Sequence, residues 1–322
     1  MAADTTTRPA PPEQIKAVPV RHPGRWIAAV VIGVLVLMFV HMLVTNPVFQ
    51  WKFMVDNMFS PPVLRGARTT LVMTLLAMLL GVLLGIIVAI MRLSPNPIVS
   101  GAAWAYVWFF RAIPRIVLLF FCANLGALYG TYDLGFPFDH QIMGWLGLSG
   151  DLRFLGLNGN QIFKGFFAGL LGLVLSEGAY MAEIVRAGIQ SVDPGQTEAA
   201  SALGMSRGKT MRRIVLPQAM RVIIPPTGNE FINMLKTSSL AAVITYGELF
   251  QKAQVVYSAK LNNIELLFTI SVWYLVLTSV ASTVQYYIER RYARGSSRAL
   301  PDTPLQKLRK NLSRGPRMGV AR

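Results

Sequence analysis

The sequence predicts an all-α polytopic membrane protein, and three observations predict it. Of 322 residues, 53% are hydrophobic and only 14% charged, with a mean hydropathy of +0.46. A soluble domain would carry about a quarter charged residues. Long apolar runs recur along the chain, each able to cross a hydrocarbon core about 30 Å thick. Charge lies mostly outside those runs and is biased to one side of the membrane. The net charge of +16 would point to nucleic acid in a soluble protein. Here positive-inside sorting accounts for it, and no nucleic-acid partner is expected. The single cysteine, Cys122, sits in an apolar run, so no internal disulfide can form. His22, His41 and His140 are scattered, and no metal site is expected.

Residues 1–25 are rich in Pro, Thr and Ala and read as a disordered tail. The apolar run 26–44 follows Arg21 and Arg25. It is long for a signal-peptide core, and Thr45-Asn46-Pro47 is no small-x-small cleavage site. It therefore reads as a retained transmembrane helix. Further spans are expected at 69–91, 101–129, 161–187, 219–244 and 264–288, making six. The run 219–244 carries Pro225, Pro226, Asn229, Glu230, Asn233 and Lys236. Either it does not span, or it faces a polar interior. Pro225-Pro226 should break or kink it. Residues 45–68 and 246–262 read as connecting loops. Residues 130–160 form a longer loop with room for short interfacial helices. Gly81-x-x-x-Gly85 and Gly165-x-x-x-Gly169 would allow close helix approach, or merely reflect glycine enrichment in membrane helices.

Lysine and arginine counts give an orientation. With the N-terminus inside, segments 1–25, 92–98, 186–221 and 289–322 hold 21 of them. The outside segments 45–68, 129–163 and 241–263 hold 6. Six spans with both termini cytoplasmic satisfy this bias, whereas five would spoil it. The basic tail 291–322 then suits anionic cytoplasmic lipids.

The loop 191–217 falls in the cytoplasm and is heavily punctuated. Asp193-Pro194 reads as an N-cap with proline at the first helical position. Gly204 reads as the C′ glycine that closes that helix. Ser206 can cap a second, basic helix that stops before Pro217. A rigid helix-turn-helix at a membrane surface suits docking another protein.

The spacing of Glu198-Ala199-Ala200, Gly204, Ile214, Leu216 and Pro217 resembles the cytoplasmic signature of permease subunits of binding-protein-dependent ABC importers. Neighbouring text narrows the resemblance to the polar amino-acid permeases. Arg111-Ala112-Ile113-Pro114 is similar to their Arg-Gly-Thr-Pro segment, with Ala112 and Ile113 departing from it. The stretch from Ala179 to Ile189 resembles their helix before the loop. Gly195-Gln196-Thr197, Leu203-Gly204-Met205-Ser206, Pro217-Gln218-Ala219-Met220-Arg221 and Lys236-Thr237-Ser238-Ser239-Leu240 continue the match. The resemblance covers about 66–290.

It implies a five-helix ABC importer permease core over 66–290, preceded by the extra helix 26–44, in a bacterial cytoplasmic membrane. It also implies partners: two ATPase subunits, a second permease (identical or sibling), an extracytoplasmic solute-binding protein, membrane lipids and a polar amino-acid substrate. Transport would proceed by alternating access. The chain has no Gly-x-x-x-x-Gly-Lys-Ser/Thr loop, so it is not expected to be an enzyme. It would carry no cofactor, with ATP and magnesium held by the partner ATPases.

Glu198, Ala199, Ala200, Leu203, Gly204, Ile214, Leu216 and Pro217 are the ATPase-docking candidates. The alanines keep the helix slim, Leu203 offers an apolar anchor, and Glu198 can pair with a basic partner residue. For the substrate path, polar groups within spans are candidates: Glu177, Asn229, Glu230, Lys236, Thr237 and Ser238. A carboxylate of Glu177 or Glu230 would meet an ammonium, while Lys236, Thr237 and Ser238 would meet a carboxylate. Interhelical bonding is the competing reading. Glu183 and Arg186, one turn apart, read as a structural pair. Arg111 and Arg115, four apart on one expected helix, read as snorkelling side chains or partners of a carboxylate. An ABC permease for another small polar solute, such as an opine or osmolyte, stays open, as does an ATP-independent channel.

Overall fold

The computed structural model describes residues 23–128, 131–135, 139–145, 153–258 and 263–292. The tail 1–22, most of the tail 291–322 and parts of the loop 130–160 lie outside them. Backbone packing divides the chain into two units, one ending at Gln50 and one beginning at Trp51. The first contains helix α1, Pro23–Thr45, exposed along almost its whole length.

The second unit begins with α2, Trp51–Met58, and α3, Pro61–Arg92. Helix α2 and the first turns of α3 fall in the expected 45–68 loop; Pro61 and Pro62 fit the first helical turn and start α3 early. Next come α4, Pro97–Ala112, and α5, Arg115–Leu128. Strands β1, Thr131–Gly135, and β2, Arg153–Asn158, pair antiparallel around α6, Asp139–Trp145, where only short helices were expected. Then follow α7, Gly159–Ile162, α8, Phe166–Gln190, and α9, Pro194–Ala202. Helix α10, Arg207–Thr210, runs through a π-turn, Met211–Val215, into α11, Leu216–Thr237. A 3₁₀ stretch, Ser238–Ile244, leads to α12, Leu249–Ser258, inside the expected 246–262 loop, and α13, Asn263–Tyr292.

Among the described residues, four helices are long and apolar enough to cross a membrane: 26–45, α3, α8 and α13. The pair α4 and α5 counts as a fifth if taken as one broken span, bent by 106°. This corrects the single helix expected over 101–129. Pro114 lacks an N–H and disfavours helical geometry in the residue before it, and Ile113 is extended at φ −82°, ψ 131°. Arg111 and Arg115 consequently sit on different helices. The expected span 219–244 falls on α11 with its 3₁₀ extension, which is not among the helices long and apolar enough to cross a membrane. Contrary to the expected break, α11 stays helical through Pro225 and Pro226. The side chain of Gln285 on α13 donates to the Pro225 carbonyl at 3.3 Å, tying α13 to α11 at the proline pair.

Helices α3 and α8 form the spine of this unit. Their closeness follows from glycine. A Cβ on Gly81 would meet Glu177 Cγ at 2.7 Å, and one on Gly85 would meet Met181 Cβ at 2.5 Å. Gly81-x-x-x-Gly85 is therefore a helix-packing face. Gly169 on α8 similarly admits Met73. The central core joins Met73, Ala77, Leu119, Leu173, Met234 and Ile244 from α3, α5, α8, α11 and the 3₁₀ stretch. A second cluster of Val63, Ala67, Leu249, Tyr257 and Ile270 binds α3 to α12 and α13.

Candidate coupling loop and substrate path

The loop after α8 is built as a closed helix-turn-helix. The Asp193 carboxylate accepts from the Gly195 N–H at 2.7 Å, and Pro194 occupies the first turn of α9. At the other end Gly204 adopts φ +74°. The Gly204 N–H then bonds the Ser201 carbonyl and the Met205 N–H the Ala200 carbonyl, both at 3.0 Å. These are the paired bonds of a glycine-closed helix end. Ser206 occupies the N-cap of α10, although its side chain makes no capping bond.

The second arm does not stop before Pro217, as expected. Pro217 lies in the first turn of α11, and the widened π-turn at 211–215 immediately precedes it. A proline offers no N–H to the preceding turn, and a π-turn relieves the clash of its ring with that turn. The docking candidates therefore fall on one continuous scaffold, but not on one surface. Ala200 is buried against the second arm. Glu198, Ala199, Gly204 and Pro217 are exposed and Ile214 is half-buried. Leu216 is partly exposed, and Leu203 is 82% exposed. Leu203 thus presents a large apolar side chain at the tip of a turn closed by Gly204.

Among the substrate-path candidates, Glu177 and Glu230 come together. Arg115, the first residue of α5, reaches both: its Nη2 lies 3.3 Å from Glu177 Oε2 and 3.4 Å from Glu230 Oε2. Glu177 is fully buried, and its Oε1 has no hydrogen-bond partner. The Tyr180 ring lies under both cations, 5.2 Å from Arg111 Cζ and 4.7 Å from Arg115 Cζ. Two carboxylates share the Arg115 guanidinium, and the Arg111 guanidinium stands on the same Tyr180 ring. The unpartnered oxygen of Glu177 is buried with the rest of its side chain, closed off from solvent.

The remaining candidates lie elsewhere. Asn229 is exposed and accepts from Gln285 at 3.0 Å. Lys236 is exposed, and Ser238 is buried with its hydroxyl donating to the Leu235 carbonyl. Among the described residues no hydrogen bond or ion pair joins Lys236, Thr237 or Ser238 to the Arg115 cluster. Glu183 holds Arg186 at 2.6 Å and lies 3.7 Å from Arg92.

Sequence reasoning left one participant open and missed another. Of the two readings of Arg115, the structure takes the partner of a carboxylate, doubled, and not the snorkelling side chain. The signal was present, since an arginine inside a span must find a carboxylate or water. Glu248, just before α12, is buried and ties three elements together. It accepts from the Phe250 and Gln251 N–H groups at 2.9 Å, from Tyr274 at 3.0 Å and from Thr70 at 3.4 Å. Burial pushes its carboxyl above the usual carboxylate range, and these four donors pull it back.

Residues 81–294 match the family described as binding-protein-dependent transport system inner membrane component. The chain belongs to this family and is a multi-pass membrane protein. It is 43% identical over 292 residues to the arginine transport system permease protein ArgU of Corynebacterium glutamicum, covering 90% of this chain and 87% of that one. It is 36% identical to the nopaline transport system permease protein NocM of Agrobacterium fabrum, over 69% of this chain and 84% of that one. Among solved structures, an amino acid ABC transporter crystallised with histidines matches with a TM-score of 0.58 and 32% identity. That match covers 76% of this chain and 99% of the other.

Proposed function

We propose that this chain is the membrane permease subunit of an ATP-driven importer that carries polar amino acids, cationic ones foremost, into the cytoplasm. Two ATPase subunits dock on the Glu198–Pro217 loop and hydrolyse ATP with magnesium. A second permease, identical or sibling, completes the passage, and an extracytoplasmic solute-binding protein delivers the substrate. Both termini are cytoplasmic, and the basic tail meets anionic lipids.

The observation that carries this reading is Leu203, exposed at the tip of a turn locked by Gly204. A rigid apolar anchor of that kind in water calls for a partner groove. ATP-driven closure of the paired ATPases would draw two such loops together and rock the spans between inward- and outward-open states. The cationic preference is supported by similarity to the arginine permease. Similarity to the nopaline permease supports a second reading, import of an opine.

Affinity purification of the tagged chain from its host in mild detergent tests the assembly. Mass spectrometry should find an ATPase bearing a phosphate-binding loop. Uptake of labelled arginine into proteoliposomes, with competition by amino acids and opines, tests the substrate. Repeated purification without any ATPase, together with ATP-independent flux, would replace the importer with a channel.

A further inference from the structure

Positive-inside sorting leaves six Lys and Arg on the segments read as extracytoplasmic, 45–68, 129–163 and 241–263. Three of the six converge. Arg65, Arg68 and Lys252 line one pocket of about 310 Å³, with Thr69, Val72 and Tyr246. No lining residue is acidic. Arg65 and Arg68 are three residues apart near the start of α3, so their side chains share a face. Lys252 arrives from the first turn of α12 over two glycines. A Cβ on Gly66 would meet Lys252 Cβ at 3.1 Å, and one on Gly247 would meet its Cε at 2.5 Å.

The carboxylate nearest in sequence is committed elsewhere. Glu248 stands one turn before Lys252, yet its oxygens serve Thr70, Tyr274 and the start of α12. Among the described residues no ion pair reaches Arg65, Arg68 or Lys252. Three cations are therefore gathered on the face that the charge bias otherwise depletes, and the described residues supply no counter-ion. Such a cluster repels itself until an anion enters it.

We propose that this pocket receives acidic side chains of the extracytoplasmic solute-binding protein. The proposal rests on the importer reading and on cytoplasmic termini. The pocket is large enough for one or two Asp or Glu side chains. Among the described residues its one aliphatic wall is Val72, a poor seat for an acyl chain. A cationic patch at the permease mouth would steer an acidic partner and fix its register, acting mainly on encounter. Because Lys252 lies four residues from Glu248, which is bonded to Thr70 of α3 and Tyr274 of α13, docking there bears directly on the packing of the spans.

The test uses the full permease–ATPase complex in nanodiscs of phosphatidylcholine, with or without phosphatidylglycerol. ATP hydrolysis is titrated with the purified, substrate-loaded binding protein of the same system, at low and high salt. For Arg65→Glu with Arg68→Glu, and for Lys252→Glu, the half-saturating concentration should rise about tenfold or more, with basal hydrolysis unchanged. Arg65→Gln with Arg68→Gln should flatten the salt dependence, and gives the same reading if the reversals fail to assemble. Lysine substitution of an acidic residue on the binding protein should partly restore the reversed permease. Unchanged half-saturation in assembled variants overturns the proposal. So does an effect that follows phosphatidylglycerol content and not the binding protein, which assigns the pocket to lipid. A wild-type complex that no binding protein stimulates, and that performs no uptake, overturns the importer reading and this proposal with it.

Discussion

Gly81 of α3 lies against Glu177 of α8 so closely that a single added methyl would meet the Glu177 Cγ at 2.7 Å. The packing glycine and the buried carboxylate are thus one unit. The space that lets the spine close also fixes where the carboxylate points. Gly81→Val should push Glu177 off Arg115. Overpacking of this kind costs about 1–3 kcal/mol. Thermal unfolding of the detergent-solubilised protein should show the loss, and uptake should fall further than stability alone explains. Full uptake in a Gly81→Val protein at normal abundance would separate packing from transport.

Arg115 binds two carboxylates that make no other ion pair among the described residues. Arg115→Met should leave them facing each other with excess negative charge, and breaking a buried pair costs about 3–5 kcal/mol. Adding Glu230→Gln to Arg115→Met removes part of the repulsion. Abundance of the double variant in the membrane should recover relative to Arg115→Met, while arginine uptake should not. Equal abundance of the two variants would show that the cluster does not act as a charge-balanced unit.

The turn after α9 depends on backbone geometry rather than on side-chain contact. A Cβ on Gly204 would meet nothing within 4 Å, but φ is +74°. A left-handed residue costs an L side chain about 1–2 kcal/mol, least for Asn and most for a β-branched residue. Gly204→Val should leave the spans folded yet abolish ATPase co-purification and uptake, while Gly204→Asn retains part of both. Loss in both variants to the same extent would point to a steric contact with the partner instead of to the turn.

Leu203 carries the anchoring role if that turn docks an ATPase. Burying its exposed side chain is worth about 1.5–3 kcal/mol, and losing it should weaken association by about 10- to 100-fold. Leu203→Ser should show this in ATPase titrations of the purified permease, with no change in its own thermal stability. Undiminished ATPase affinity would remove Leu203 from the contact.

Much of this arrangement is legible in the chain because its signals are local. Asp193-Pro194 and Gly204 state where a helix begins and ends, and the structure realises both. Hydropathy marks α1, α3, α8 and α13 for the same reason, since burial in lipid leaves a continuous apolar run. What escapes is what depends on a partner far along the chain. Glu177, Arg115 and Glu230 are separated by many tens of residues, and no period links them. The 106° bend at Pro114 also escapes, because a proline in an apolar run signals a break without giving its angle. Pro217 shows the reverse error. Read as a stop, it is absorbed into α11 behind a π-turn.

Glu248 shows most clearly how a residue can matter without a sequence signature. It closes the start of α12 through the N–H groups of Phe250 and Gln251, reaches Tyr274 on α13, and meets Thr70 on α3. Thr70 in turn accepts from the Leu249 N–H at 3.1 Å. Every donor here needs an acceptor oxygen. Glu248→Gln keeps the shape but swaps one oxygen for an amide that donates, so at least one buried N–H or hydroxyl is left unsatisfied. That costs about 1–3 kcal/mol, whereas Glu248→Ala strands all four donors and should cost more. Tyr274→Phe removes a single donor and leaves the carboxylate with three, so it should be the mildest of the series. Thermal unfolding in detergent should therefore rank Tyr274→Phe above Glu248→Gln above Glu248→Ala. A Glu248→Gln protein as stable as the wild type would mean that the carboxylate does not bear the junction of α3, α12 and α13.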